Sequence, residues 1–295
     1  MSGTVFLLIK NEELYMKIKL YNNSKTVTLS GSMTADTPFA VREIDGLGLT
    51  DKKFTAITLY GEPGRQTTNV HDEARVITVS ADARCGDDFQ KDFADLTAIL
   101  DGEFTVEIHG KTARKINARC EAFSIGRRHG RYREFTMQFV CDFPYFTDLV
   151  PTVKGVHNRT DLITTQTVLP AVFTSRTSNA DIGYEGGVKT APVFIVEILS
   201  AGSSGVKIEN VTHGEKITLN YNAALGEVIT IDLESGEVKN SDGDDLSEYI
   251  SNDTFLEDFY LYPGENRINV TNNSSSSACT VRCRYMNRYR EGVWI

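Results

Sequence analysis

The second half of the chain consists of short runs of β-branched and aromatic residues, separated by Gly, Asn and Ser turns at intervals of about ten residues. Runs of this length suit strands, and no helical periodicity in this half extends beyond a single turn. We predict strands at 167–174, 193–199, 206–210, 216–220, 228–232, 237–239, 255–261, 267–271 and 280–286. The spacing is typical of a β-sandwich or a jelly roll and constrains the fold of this half more than any other feature.

The first half is predicted to be β-rich with one helix. Strands are expected at 5–9, 16–20, 26–29, 40–44, 54–60, 74–80 and 104–109, followed by a long hairpin of 113–124 and 131–143. The helix is predicted over 88–100, because Phe89, Phe93, Leu96 and Leu100 recur at helical spacing and form one apolar stripe. This stripe is interpreted as a core face against the sheet. Asp87 or Asp88 is expected to cap the helix, and Gly102 follows its end.

The length of 295 residues exceeds that of a typical single domain, so two domains are expected. Residues 142–156 combine aromatic residues with Pro144 and Pro151 and lack a steady periodicity. We therefore place the boundary there, with domains at 1–148 and 149–295. The predicted fold class is mainly β, with two sandwich-like domains, the first carrying the helix.

The formal charge of −9 argues against sequence-independent DNA binding through a basic face. The N-terminal apolar run, residues 5–9, is shorter than the hydrophobic region of a secretory signal, and no apolar stretch approaches the length that spans a bilayer. We therefore expect a soluble chain that is neither secreted nor inserted into a membrane.

The sequence nominates no catalytic, cofactor-binding or metal site. Nucleotide-binding, zinc-protease and serine-hydrolase motifs are absent, and the five histidines are far apart. Residues 240–245 alternate oxygen ligands as a Ca²⁺ loop does, but without the closing Glu of an EF-hand the pattern favours a turn. Cys279 and Cys283 lie on one face of a predicted strand, where two buried apolar residues are favoured over a metal or redox pair.

The tip of the predicted hairpin is strongly basic for so acidic a chain. It contains four arginines, Arg127, Arg128, Arg131 and Arg133. A solvated turn is the simpler interpretation. The alternative is an electrostatic contact with an acidic surface, on the next subunit or on another protein, for which the bidentate geometry of arginine is suited.

Several motifs, in order, resemble siphophage distal tail proteins. Residues 259–268 have the form aromatic-x-Leu-x-Pro-Gly-Glu-Asn-x-Ile, and a Tyr/Arg-rich strand follows them. Upstream lie a strand that begins after Pro192 and the stretch 226–232, which has the family's form Gly-x-x-(Ile/Leu)-x-Ile-Asp. In the first half, an Arg-x-Ile-x-Val strand, an Asp-led helix and the long closing hairpin occur in the family's order.

The resemblance implies a structural protein of the virion tail, made in the bacterial cytoplasm. The first domain would form a ring, expected to be a homo-hexamer, and the second would be a galectin-like or jelly-roll-like attachment domain. The implied partners are the tail tube protein, the tail hub or tip protein and receptor-binding proteins, with no cofactor. The chain has no room for the carbohydrate module that some relatives insert.

Two other functions stay open. The second domain could be a lectin that binds cell-surface carbohydrate, if aromatic residues such as Tyr184, Tyr221, Tyr249 and Phe255 formed a platform. The chain could also be a glycoside hydrolase, although sequence alone cannot bring two carboxylates to the required separation.

Overall fold

The computed structural model describes residues 16–34, 37–58, 60, 61, 63–86, 88–161, 174–177, 179–199, 203–272 and 279–293. The predicted strand at 5–9 and most of the one at 167–174 lie outside these residues. The chain divides into two compact units, Met1–Leu149 together with Tyr289–Ile295, and Val150–Arg288. The second unit is thus inserted between two segments of the first.

Among its described residues, the first unit contains one helix, α1 (Phe89–Leu100). Its strands are β1 (Lys17–Tyr21), β2 (Thr26–Ser30), β3 (Phe39–Asp45), β4 (Lys52–Ile57), β5 (Gln66–Asp72), β6 (Arg75–Arg84), β7 (Glu103–His109), β8 (Ala113–His129), β9 (Tyr132–Cys141) and β10 (Phe146–Thr147).

Seven of these strands form a sheet that closes on itself. Their order is β8-β7-β1-β2-β3-β6-β9, and β9 pairs back to β8. The β2–β3 pair is parallel and the other pairs in the ring of strands are antiparallel. Alternation directs every second side chain inward, as in β6, where Ile77 and Val79 are buried. A closed sheet leaves these strands without a free edge.

Helix α1 packs its apolar stripe onto this core. Phe93, Leu96, Ile99 and Leu100 are buried and Phe89 is partly buried. The ring of Phe93 meets Phe135 edge-on at 5.4 Å between centroids. The core-face interpretation of the stripe is therefore confirmed. Asp88 stands at the N-cap position but its side chain makes no capping hydrogen bond, and the other predicted cap, Asp87, lies outside the described residues.

The second unit is a sandwich of antiparallel strands. Its strands are β11 (Thr152–Asp161), β12 (Thr174–Thr177), β13 (Asn179–Tyr184), β14 (Val193–Ile198), β15 (Ser203–Asn210), β16 (Glu215–Ala223), β17 (Val228–Asp232), β18 (Glu237–Asn240), β19 (Gly264–Asn272) and β20 (Cys279–Tyr285). Two 3₁₀ turns, Ser247–Tyr249 and Leu256–Asp258, connect β18 to β19. The last strand of the chain is β21 (Arg288–Tyr289).

One sheet of this unit has the order β12-β11-β20-β14-β17-β18 and the other the order β13-β19-β15-β16. Both sheets contribute to one core, with Val196, Val281 and Ile208 among its fully buried residues. Cys279 and Cys283 lie in this core, and burial raises the pKa of the Cys283 thiol. Both cysteines are therefore buried apolar residues, as the sequence favoured.

Some predicted elements differ from the observed ones. The stretch 255–261 is a 3₁₀ turn followed by a bridge at Leu261, because hydrogen bonds from Asp258 and Phe259 curl the chain back on itself. Strand β11 occupies part of the region interpreted as a linker, and β5 and β13 were not predicted. No helix among the described residues has the length and apolarity needed to cross a membrane.

The observed second unit is shorter than the predicted domain 149–295, because residues 289–293 belong to the first unit. Val293 is buried in its core, and the amide of Gly292 donates to Leu47 O at 2.7 Å. Beyond β10, the last strand β21 extends the sheet of the first unit.

Two arginines of the first unit hold this returning segment. Arg75, which is buried, donates to the backbone oxygens of Gly46, Gly48, Pro144 and Arg290. Its burial lowers the pKa of the guanidinium. Arg114 donates to the carbonyls of Glu291 (2.6 Å) and Gly292 (2.9 Å) and covers the ring of Tyr289. The guanidinium groups thus supply hydrogen-bond donors to backbone carbonyls of the returning segment.

Candidate interaction surfaces

The basic hairpin tip lies where β8 turns into β9. Gly130, with φ of +60°, forms the turn, and Arg128 and Arg133 pair across the strands. Arg127, Arg128 and Arg131 are exposed and Arg133 is half-buried. The structure therefore brings the four predicted arginines together at one exposed end of the hairpin.

These arginines are not neutralised by neighbouring carboxylates. Among the described residues none of the four forms an ion pair; Arg128 Nε donates to Gly130 O at 3.0 Å. The nearby Glu134 forms an ion pair with Arg42, at 2.6 Å between Oε1 and Nη1, and Arg42 also forms an ion pair with Asp82. Exposed Ile125 and Tyr132 add apolar area beside the charges. The tip is a basic, partly apolar surface.

A second projection of the first unit is the separate two-stranded sheet β4–β5. Apolar side chains at Phe54, Ile57, Tyr60 and Val70 are exposed on it. An isolated hairpin is only marginally stable in water, so contacts between this hairpin and the rest of the unit are needed to stabilise it. At that base Asp72 accepts a hydrogen bond from Tyr145 Oη at 2.7 Å.

The Leu-x-Pro-Gly-x-Asn motif of the second unit is a structural turn. Gly264 has φ of +97°, which a Pro-Gly turn requires of its glycine. The buried Asn266 side chain closes the turn: its Oδ1 accepts from Tyr262 N at 2.9 Å, and its Nδ2 donates to Tyr262 O at 2.7 Å and Gly264 O at 3.1 Å. Asn210, also buried, donates to Asn266 Oδ1. Leu261 fills the core beneath. The motif thus fixes the backbone.

An aromatic group surrounds this turn. Tyr262 donates its hydroxyl to Glu215 Oε1 at 2.5 Å, and this bond together with partial burial raises the pKa of Tyr262 to about 12. The ring of His213 lies 4.1 Å from that of Tyr262, and Lys189 Nζ lies 3.5 Å from the centroid of the Tyr260 ring. These side chains mainly bind one another.

One segment of the second unit is strongly acidic. Residues 232–258 contain ten acidic residues and one lysine, a formal charge of −9 that equals that of the whole chain. This segment borders a groove of about 470 Å³. The groove is lined by two chain segments, Leu233, Glu234, Ser235 and Gly236 on one side and Thr254, Phe255, Leu256 and Glu257 on the other.

The aromatic residues considered for a lectin platform are not all available. Tyr184 is buried and donates its hydroxyl to Val188 O at 2.6 Å. Tyr221 and Tyr249 pack against each other, with centroids 5.0 Å apart. Phe255 is 60% exposed and lines the groove described above. Burial of Tyr184 removes it from any surface platform.

Side-chain oxygens of the 240–245 segment accept hydrogen bonds from nearby backbone amides. Asn240 Oδ1 accepts from the amides of Asp242 and Asp244, and Asp245 Oδ1 accepts from Ser247 N. Within the described residues, no group of three potential metal ligands is found. The favoured turn is the observed conformation.

A comparison with protein families finds a similarity in the second unit. Residues 185–289 match the family model described as the siphovirus-type tail component, C-terminal domain. No curated protein matches the sequence. The matched range begins directly after β13 and ends in β21, so the similarity covers most of the second unit.

Solved structures share the fold over nearly the whole chain. The Dit protein (gp 19.1) of phage SPP1, described as a paradigm of the hub adsorption apparatus in phages that infect Gram-positive bacteria, is 14% identical. The similarity covers 92% of this chain and 98% of that one, with a TM-score of 0.69. A chain of the phage P2 baseplate in its activated conformation is 8% identical, with coverages of 91% and 97% and a TM-score of 0.50.

The resemblance to distal tail proteins that the motifs indicated is therefore confirmed. The mainly β fold class is also confirmed. The sequence did not reveal Arg75, Arg114 or Asn266 as structural residues. For Asn266 a signal existed, because an Asn two residues after a Pro-Gly turn is well placed to bind the turn's carbonyls.

Proposed function

We propose that the protein is a structural component of a siphophage or prophage tail tip, a ring-forming distal tail protein of the virion. The match of residues 185–289 to the siphovirus tail-component domain carries this proposal. The fold shared with SPP1 Dit along the chain supports it. The role is one of assembly and not of catalysis.

In this proposal, the first unit closes into a hexameric ring that continues the tail tube, and the second unit is the attachment domain. The partners are the tail tube protein, the tail hub or tip protein and receptor-binding proteins. Ring closure requires a heterologous contact, in which two different surfaces of the subunit meet. The exposed arginines of the hairpin tip supply one candidate surface.

The test is the solution mass of the purified chain, measured by light scattering over a range of concentration and salt. A discrete species near six protomers, seen as rings in negative-stain micrographs, is expected. If the chain remains monomeric and also fails to assemble when tail tube and hub proteins are added, the ring-forming role is wrong.

The hairpin tip gives a specific prediction. Replacing Arg127→Gln together with Arg128→Gln should weaken subunit or partner association by about tenfold, because two exposed charges of a complementary contact are lost. The loss should shrink as salt rises. Light scattering and binding to the partner proteins measure it.

The matched control removes two exposed arginines elsewhere, Arg267→Gln and Arg282→Gln, which should leave association unchanged. Equal behaviour of the two double variants would show that the tip has no special part in assembly.

The lectin alternative has a separate test. Glycan-array binding or cell-wall capture by the full chain, lost on substitution of Tyr221 or Tyr249, would favour it over a purely structural role. The burial of Tyr184 weakens this alternative.

A further inference from the structure

The groove between the β17–β18 turn and the 3₁₀ turn at Leu256–Asp258 combines an apolar interior with an acidic border. Leu233 is buried and Leu256 is half-buried, and both pack against the core of the unit. Phe255 stands at the groove with 60% of its surface exposed. An exposed Phe beside an apolar floor is a typical anchor for a partner's side chain.

The acidic border is only partly neutralised within the chain. Glu234 is paired with Arg288 at 2.7 Å. Glu257, which lines the groove, and the adjacent Asp258 form no ion pair with any described residue. Both belong to the segment 232–258, which carries ten acidic residues and one lysine. The groove is therefore lined in large part by a segment with a formal charge of −9.

We propose that this groove binds a segment of a partner protein in which an apolar side chain is flanked by arginine or lysine. The apolar side chain packs against Phe255, Leu233 and Leu256, and the basic residues face Glu257 and Asp258. This deepens the proposed function, because it assigns a docking site to the unit that is proposed to carry partners.

Charge complementarity selects this occupant. Nucleic acids and acidic polysaccharides are repelled by the field, and a neutral sugar gains nothing from it. The same acidic segment of a second copy is also repelled. A basic segment is attracted by the carboxylates and gains affinity from the apolar anchor.

The test uses a fluorescein-labelled peptide that carries one leucine between two arginines, in Gly-Ser flanks, and a second peptide with serine in place of the leucine. Binding to the full chain is measured by fluorescence anisotropy at low and at raised salt. The variants are Phe255→Ala and Glu257→Gln. The controls are Leu225→Ala, another exposed apolar side chain, and Glu248→Gln, an acidic residue of the same segment outside the groove.

The leucine peptide should bind more tightly than the serine peptide, and Phe255→Ala should abolish that difference with a loss of about tenfold for the leucine peptide alone. Glu257→Gln should weaken binding several-fold at low salt and less at raised salt. Both control variants should stay within about twofold of the native chain.

Three results would overturn the proposal. The first is equal binding of both peptides, which means a general charge effect. The second is an equal loss in Leu225→Ala or Glu248→Gln. The third is a change of oligomeric mass caused by Phe255→Ala, which would make a second copy the occupant. The peptide-binding measurement does not require the chain to form a ring. A failure of ring formation can therefore be distinguished from a failure of this proposal.

Discussion

At the scale of single residues, buried polar side chains hold the backbone where the chain leaves regular strands. Arg75 and Arg114 bind carbonyls of the returning chain end, and Asn266 closes the Pro-Gly turn. Sequence periodicity identifies apolar positions that face a core, but it does not identify a polar residue whose partners are backbone groups distant in the sequence. Arg75 and Arg114 therefore became visible only in the structure, whereas the position of Asn266 after the Pro-Gly turn was a local signal.

The Tyr262–Glu215 pair predicts a dependence on pH. The pKa of Tyr262 is raised to about 12, above its ordinary value near 10, because the neutral hydroxyl donates to the Glu215 carboxylate. The stabilising contribution is thus complete below about pH 10 and is lost as the pH rises from about 10 to 12.

Urea unfolding should therefore show that the native chain loses its stability advantage over Tyr262→Phe across this interval. Ultraviolet titration of the phenols should show one fewer late-titrating group in Tyr262→Phe. In Glu215→Gln the same tyrosine should titrate earlier. An identical titration curve for all three proteins would contradict the assignment.

At the scale of elements, the turn before β19 depends on one side chain. Asn266→Ala should destabilise the second unit by about 3 kcal/mol, because backbone groups of Tyr262 and Gly264 and the buried amide of Asn210 lose their partner. Chemical denaturation measures the change.

The matched control is Asn222→Ala, at an exposed position of β16, which should cost less than about 0.5 kcal/mol. Equal stabilities of the two variants would show that the asparagine does not hold the turn.

Elements with a clear periodicity were predicted well, and elements formed by distant pairing were not. Helix α1, β6, β14 and β17 were predictable, because each has an apolar face at its own period. Strand β5 is mostly polar, pairs with β4 and buries little, so it has no apolar pattern to detect. The stretch 255–261 has the composition of a strand but curls, because local turn bonds and the side chains of Asn210 and Glu215 take its backbone groups.

The same limit applies to the interaction surfaces. The basic tip was predictable, since its four arginines are close in sequence. The groove was not, because its two sides come from segments twenty residues apart that only the sandwich brings together.

At the scale of the whole molecule, the first unit is discontinuous in sequence. Its core includes Val293, and its buried Arg75 binds Arg290 O. Residues 1–149 alone should therefore be less stable by at least about 3 kcal/mol than the same residues joined through a short Gly-Ser linker to 289–295.

Urea unfolding compares the two fragments, and alkylation of Cys141 reports on their cores. This thiol is buried, which raises its pKa to about 12, and it should react only in the shorter fragment. Equal stability and equal protection of Cys141 would show that the chain end is dispensable.

The order of strands at the edge of the first unit has an evolutionary consequence. Strands β10 and β21, which precede and follow the inserted unit, are neighbours in one sheet, so the points of departure and return lie about one strand spacing, near 4.8 Å, apart. Recombination at these two points exchanges the whole intervening domain for any other whose ends lie close together. The first unit keeps its closed sheet, its helix and its core. One recombination event can therefore replace the second unit without altering the fold of the first.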